Sequence, residues 1–205
     1  MRFLLKEQLY EKRLAAGELR YEQDGRPTGA IEHWRYTHAH DGYHFWRVDL
    51  DGRASSGDTF LYNLLLDPHG RPADLRWRFY NASNRAHGQI LFEAGQMTAV
   101  REINGQRFEQ EVPSSPFFFP SVAGLWLLRG VQGGRVALQT LAMHQRELEA
   151  FMALVPLTAE LAQAERTTIL RWGEQERRSW WNAQGFPERM ERQDGLTAVG
   201  VGRGK

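Results

Sequence analysis

The sequence has no cysteine. That excludes disulfides, cysteine-ligated zinc and a thiol nucleophile. It has three lysines, Lys6, Lys12 and Lys205, so nearly all of its 26 basic residues are arginine. Against 25 acidic residues the net charge is +1, which leaves no electrostatic case for nucleic acid as a partner. No apolar run approaches the roughly 18 residues of a membrane helix. The longest, over 117–128, is interrupted by Pro120. The opening MRFLLKEQLYEKRLAAG returns to charge at Lys6 and Glu7, too early for a secretory signal. The expectation is a cytoplasmic protein with no transmembrane segment.

Aromatic residues, by contrast, are abundant: seven Trp, eleven Phe and six Tyr. They favour strands or an aromatic-lined cavity. Glycine-bearing turn signals recur along the chain, among them DGRP (24–27), HDGY (40–43), EAGQ (93–96), INGQ (103–106) and QDGL (193–196). A spacing of about 8–12 residues between turns marks an antiparallel sheet. Alternation agrees. In DLRWRFY (74–80), Leu75, Trp77 and Phe79 share one face, and Asp74, Arg76, Arg78 and Tyr80 the other. In RFEQEV (107–112), Phe108 and Val112 oppose Arg107, Glu109 and Glu111. The segment 33–50 reads as a hairpin turning on Asp41-Gly42. A two-residue loop there pairs His40 with Tyr43, His38 with Phe45 and Thr37 with Trp46.

Two regions depart from this rhythm. In PFFFPSVAGLWLLRG (116–130), Pro116 and Pro120 discourage a central strand. From Ser121 the residues suit a short helix near 121–129, with Ser121 as N-cap, Val122, Leu125 and Trp126 on one stripe, and Gly130 as its stop. Over 135–170 the composition favours helix, but Pro156 would break it and the surroundings favour strands. A helix at 145–154 and a strand there are both open readings. The whole therefore reads as mostly β, one domain over 1–205: a long antiparallel sheet curled into a barrel or half-barrel.

Three stretches together carry a resemblance. GELRYEQDGRPTGAIEHWRY gives a strand, a turn and a second strand. FPSVAGLWLLRG closes the strand-rich middle. RRSWWNAQGFPERMERQDGLTAV gives a Trp-bearing strand, a polar turn ending in Gly, an apolar-Pro pair, a charged strand and a last turn at Asp194-Gly195. This order resembles the domain-of-unknown-function 3108-like proteins, which are similar to periplasmic lipoprotein carriers. The resemblance implies a curled sheet with an apolar interior and no particular cargo. Unlike most of those proteins, this sequence shows no export signal and no lipobox cysteine.

The candidate ligand-binding residues are aromatic or aliphatic: Trp34, Trp46, Trp77, Phe79, Phe108, Phe118, Leu125, Trp126, Trp172 and Trp181. Alternate residues of each strand face the inside of a curled sheet, where they either line a cavity or fill it. The adjacent Trp180 and Trp181 must face opposite ways. His33, His38, His40 and His44 cluster within twelve residues. His38-x-His40 would offer two imidazoles on one strand face, with Asp41 or His87 as a third ligand, but a solvated hairpin tip is the preferred reading. No metal and no cofactor are expected. No G-x-S-x-G or H-E-x-x-H motif is present, and catalytic residues are not assignable. The expected function is non-catalytic binding of a hydrophobic or amphipathic, lipid-like small molecule in an aromatic-lined cavity. The alternative is an enzyme, of isomerase, cyclase or hydrolase type, acting on such a molecule in the same cavity. The sequence carries no signal of oligomeric state.

Overall fold

The structure is a computed structural model that describes residues 7–143 and 146–201. Fifteen strands form one hydrogen-bonded ladder among the described residues. Packing divides the chain into two compact units, and neither is a continuous piece of sequence. The first contains the chain up to Glu18 and Ala30–Ser114; the second contains Leu19–Gly29 and the chain from Ser115 onward. Strands β1 (Glu11–Gln23) and β2 (Arg26–Ala39) each supply residues to both.

The first unit continues with β3 (His44–Gly52), β4 (Asp58–Leu66), β5 (Pro72–Tyr80), β6 (Arg85–Glu93), β7 (Gln96–Ile103) and β8 (Gln106–Pro113). From β2 to β8 each strand pairs antiparallel with the next. The turns obey their residues. At Asn104-Gly105 both φ angles are positive, 51° and 88°, and Ile103 pairs directly with Gln106. That is the two-residue hairpin that an Asn-Gly pair favours.

The hairpin between β2 and β3 corrects the expected register. Its loop has three residues, not two: Ala39 N–H donates to the Tyr43 carbonyl at 2.8 Å, and Gly42 takes a φ of +89°. A turn closed by a left-handed glycine is the next most common hairpin connection. The extra loop residue moves every pairing by one, so His38 opposes His44, Thr37 opposes Phe45 and Tyr36 opposes Trp46.

The second unit contains β9 (Phe117–Phe118), a helix α1 (Val122–Leu125) that runs into a 3₁₀ turn (Trp126–Gly130), and six further strands. These are β10 (Gly134–Leu141), β11 (Leu154–Ala164), β12 (Thr167–Trp172), β13 (Gln175–Trp181), β14 (Pro187–Arg192) and β15 (Leu196–Gly200). From β10 to β15 neighbours in sequence are antiparallel neighbours in the sheet. β9 pairs parallel with β10, and β15 pairs back to the Leu19–Gln23 part of β1. The short helix expected near 121–129 is present. Ser121 caps it, its Oγ accepting the Gly124 N–H at 3.0 Å.

A helix at 145–154 does not form over its described part. Residues 146–152 make bends and turns. Phe151 N–H reaches the Glu147 carbonyl at 2.9 Å, and the left-handed Met152 (φ 57°) then donates to Ala142 and closes the β10–β11 hairpin. Position 145 itself lies outside the described residues. The Leu- and Ala-rich sequence that follows is β11, since pairing with β10 along its length outweighs helix propensity. Pro156 is tolerated because β12 pairs with β11 only from Glu160 onward.

The stretch 117–130 is the core plug of the second unit. Phe117, Phe118, Phe119, Val122, Ala123, Leu125 and Leu128 are all buried. Burying large apolar side chains of this kind stabilises by roughly 1.5–3 kcal/mol each before ordering costs. Polar ties hold the plug in place. Trp126 Nε1 donates to the Gly185 carbonyl at 3.1 Å, as does the Arg129 guanidinium. Gln163 Nε2 donates to the Leu128 carbonyl at 2.6 Å and the Val131 carbonyl at 2.9 Å.

Candidate ligand-binding face

Register alone builds a broad aromatic face in the first unit. Trp34 opposes Val48, Val48 opposes Tyr62, Tyr62 opposes Trp77, Trp77 opposes Gly88, Gly88 opposes Arg101 and Arg101 opposes Phe108. One row of side chains thus crosses seven strands, β2 to β8. The flanking rows on the same face add Tyr36, Trp46, Leu64, Leu75 and Ile90 on one side, and Leu50, Phe60, Phe79 and Ile103 on the other. Rings stack along it. Trp34 lies on Trp46 with centroids 5.4 Å apart and planes 5° apart, and Phe60 stacks on Trp77 at 6.2 Å. Phe79 meets Phe60 at 6.0 Å.

Glycine makes room for two of these indoles. A Cβ on Gly88 would lie 2.5 Å from Trp77 Cζ2 and 2.8 Å from the Val100 carbonyl; one on Gly17 would lie 2.5 Å from Trp34 Cζ2. Trp77 and Trp34 therefore lie flat over bare backbone. Gly88→Ala should displace the Trp77 ring and cost about 1–3 kcal/mol in urea unfolding. A variant as stable as wild type would mean the indole is not held there.

Five of the ten residues singled out from the sequence, Trp34, Trp46, Trp77, Phe79 and Phe108, lie on this face. Phe108 is half-buried beneath the Arg101 guanidinium, 5.0 Å from the ring centre. The other five, Phe118, Leu125, Trp126, Trp172 and Trp181, belong to the second unit. Phe118 meets Trp172 at 5.7 Å, and Arg177 lies over both rings. Leu125 and Trp126 belong to the plug. Trp181 is buried and donates from Nε1 to Thr168 Oγ1 at 3.0 Å, while its neighbour Trp180 faces the other way against Arg178 and Arg189.

The opposite face of β5–β8 is charged. A recess of about 410 Å³ there is lined by Arg76, Arg78, His87, Glu102 and Arg107, among others. Its charges are balanced locally: Arg76 by Asp74 at 3.1 Å, Arg107 by Glu109 at 2.5 Å, and His87 beside Glu102 at 3.9 Å. A self-neutralised rim of this kind gives an apolar guest no purchase.

Two polar constellations were not legible in the sequence. Glu11, on β1, receives both Nη atoms of Arg47 at 2.6 and 2.7 Å and Thr37 Oγ1 at 2.5 Å. The two charged side chains are 0% and 4% exposed, and Arg47 also lies over the Phe45 ring at 4.6 Å. Burial pushes the Glu11 carboxyl up. The Arg47 and Thr37 hydrogen bonds, the Arg47 charge and the Gln8 N–H outweigh it and hold the pKa below its ordinary value. Neither position carried a sequence signal, because the partners come from three strands.

The second constellation is the histidine pair made by the corrected register. His38 and His44 face each other with ring centres 4.7 Å apart, on the aromatic face and one pair beyond Tyr36 and Trp46. Tyr36 stacks on His44 at 5.2 Å. Burial and the neighbouring His38 hold the His44 pKa below its ordinary value. His40 does not share that site. It lies exposed in the turn, edge-on to Tyr10 at 6.0 Å, and His87 stands on the charged face. Among the described residues no group of three or more His, Asp or Glu side chains is arranged to hold a metal ion, and no helix is long and apolar enough to cross a membrane.

Comparison with known proteins adds the fold. No family model matches the sequence, and no curated protein does. A solved structure, the beta-barrel-like protein of domain of unknown function DUF1849 from Brucella abortus, matches over 93% of this chain and 94% of that one. Its TM-score is 0.51 and its sequence identity 8%. At such an identity the likeness is one of architecture, and it does not extend to the DUF3108-like proteins or the lipoprotein carriers. The chain has a mostly β, β-barrel-like fold.

Proposed function

We propose that the protein binds a hydrophobic or amphipathic, lipid-like small molecule on the aromatic face of its first unit, without catalysis. The observation that carries this reading is a contrast between the units. The second unit fills its apolar side with its own plug, residues 117–130. The described residues of the first unit include no helix; its apolar side is filled by strand side chains alone, with Trp34, Trp46, Tyr62 and Trp77 each 4% exposed or less, so a guest would enter by parting those rings. Rings parted by an apolar guest exchange ring–ring contacts for contacts with that guest. We also read the chain as one domain, since β1 and β2 each serve both units.

Native mass spectrometry of detergent-free protein should show an adduct with the mass of an acyl or isoprenoid lipid. Titration with a saturated fatty acid should change tryptophan emission and saturate at one equivalent, and Trp77→Ala should weaken the response by about tenfold. A protein with no adduct, and no emission change with fatty acids or isoprenoids, is not a lipid binder.

A further inference from the structure

We propose that His38 and His44 form a two-nitrogen site for a divalent transition-metal ion, with Cu²⁺ or Ni²⁺ favoured over Zn²⁺. Three observations converge. The two imidazoles are directly opposed on neighbouring strands, so neither has to move along its strand to share an ion. Metal–imidazole bonds are about 2.0–2.1 Å, so two rings bound at adjacent corners of one ion have their centres roughly 4.5–5 Å apart. The observed separation is 4.7 Å. With both nitrogens turned toward one ion, a pair at that separation would occupy adjacent corners, as the tetragonal geometry of Cu²⁺ and Ni²⁺ requires. Finally, Nδ1 of His44 is buried with no hydrogen-bond partner. Buried polar atoms are ordinarily satisfied, and an orphaned nitrogen on a ring packed beside a second imidazole would be completed by a cation shared between them.

The surroundings favour the ion in one further way. Tyr36 stacked on His44 fixes the ring plane, so little side-chain freedom is lost on binding. With two protein donors, the remaining positions on the ion are filled by water. The site does not depend on a lipid ligand, and its test uses the metal alone.

Metal-free protein is titrated with Cu²⁺ while tryptophan emission is followed, since Trp46 stands next to the pair on the same face. Electron paramagnetic resonance counts the nitrogens around the bound ion. Wild type should bind one equivalent through two imidazole nitrogens. His38→Ala and His44→Phe should each weaken binding by about tenfold or more and leave one nitrogen. His44→Phe keeps a ring against Tyr36, so its circular dichroism should match wild type and separate loss of ligand from loss of fold. His33→Ala and His87→Ala should bind as wild type does. Affinity unchanged in both pair variants, or a bound ion without two imidazole nitrogens, would overturn the site. So would wild type with no one-equivalent binding, which would leave water as the partner of His44 Nδ1.

Discussion

Arg47→Met should lower stability by about 3–5 kcal/mol, because it strands a carboxylate that water cannot reach. In a chain of this length that is a fall in melting temperature of about 10 °C. The Glu11 side chain is fully buried, and the Arg47 guanidinium supplies an opposite charge to it by two short hydrogen bonds. Thr37 and the Gln8 N–H remain in the variant, but neither is charged. Glu11→Gln should be costly too, since it leaves Arg47 buried. The double variant should cost less than the sum of the two, the signature of a coupled pair.

The pH dependence has a definite sign. Pairing lowers the folded pKa of Glu11 below the ordinary value of 4.5. The resulting stabilisation is therefore fully present above that value and is lost as pH falls through the lower, folded one. In Arg47→Met the same carboxyl, buried and unpaired, shifts upward. Acidification then stops penalising the variant before it stops favouring wild type. Urea unfolding at neutral and acidic pH should show the gap between them narrowing as pH falls. A variant within about 1 kcal/mol of wild type at neutral pH would mean the pair is solvated.

Gly124→Ala should cost about 3 kcal/mol or more, large for the addition of one methyl group. A Cβ at that position would collide with the carbonyl oxygen of Phe119 and with the Phe119 Cβ. The first obstacle is backbone, which cannot rotate away as the end of a side chain can. The same glycine donates its N–H to Ser121, so moving it also loosens the cap of α1. The expected signs are a lower melting temperature and a weakened near-ultraviolet signal from the tryptophans held at the plug. Gly130→Ala, six residues further along the same segment, is the control. Nothing lies within 4 Å of its added methyl, so it should stay within about 0.5 kcal/mol of wild type. Equal effects at 124 and 130 would mean that the plug tolerates movement.

The residues that announced the fold acted locally. Asn104-Gly105 made its two-residue turn, Leu75, Trp77 and Phe79 took one face of β5, and Ser121 capped its helix, each from interactions a few residues long. The departures came where distant partners decide. The helix-forming composition after Leu141 was overruled by β10, and the hairpin at 39–43 took a third loop residue to accommodate Gly42. That one residue replaced Phe45 with His44 opposite His38, so the histidine pair could not be read without the register. The Glu11–Arg47–Thr37 cluster was hidden for a related reason. Its members carry no shared motif, and only the pairing of three strands brings them together. The aromatic candidates were legible residue by residue, but their division between two units was not, since β1 and β2 each cross from one to the other.

That last strand arrangement has a consequence for synthesis. In the second unit, β15 is completed by β1, with Gln23 opposite Leu196 and Leu19 opposite Gly200. The first strand made thus waits for the last. While the intervening residues leave the ribosome, at about 5–20 residues per second, Leu19–Gln23 has an unmet edge for roughly ten seconds or more. A contact of such long range also forms late in refolding, after the hairpins that need only their own turns. During that interval the exposed edge of β1 is the segment a chaperone would hold, and a ribosome-bound chain stopped before residue 196 should remain a substrate for one.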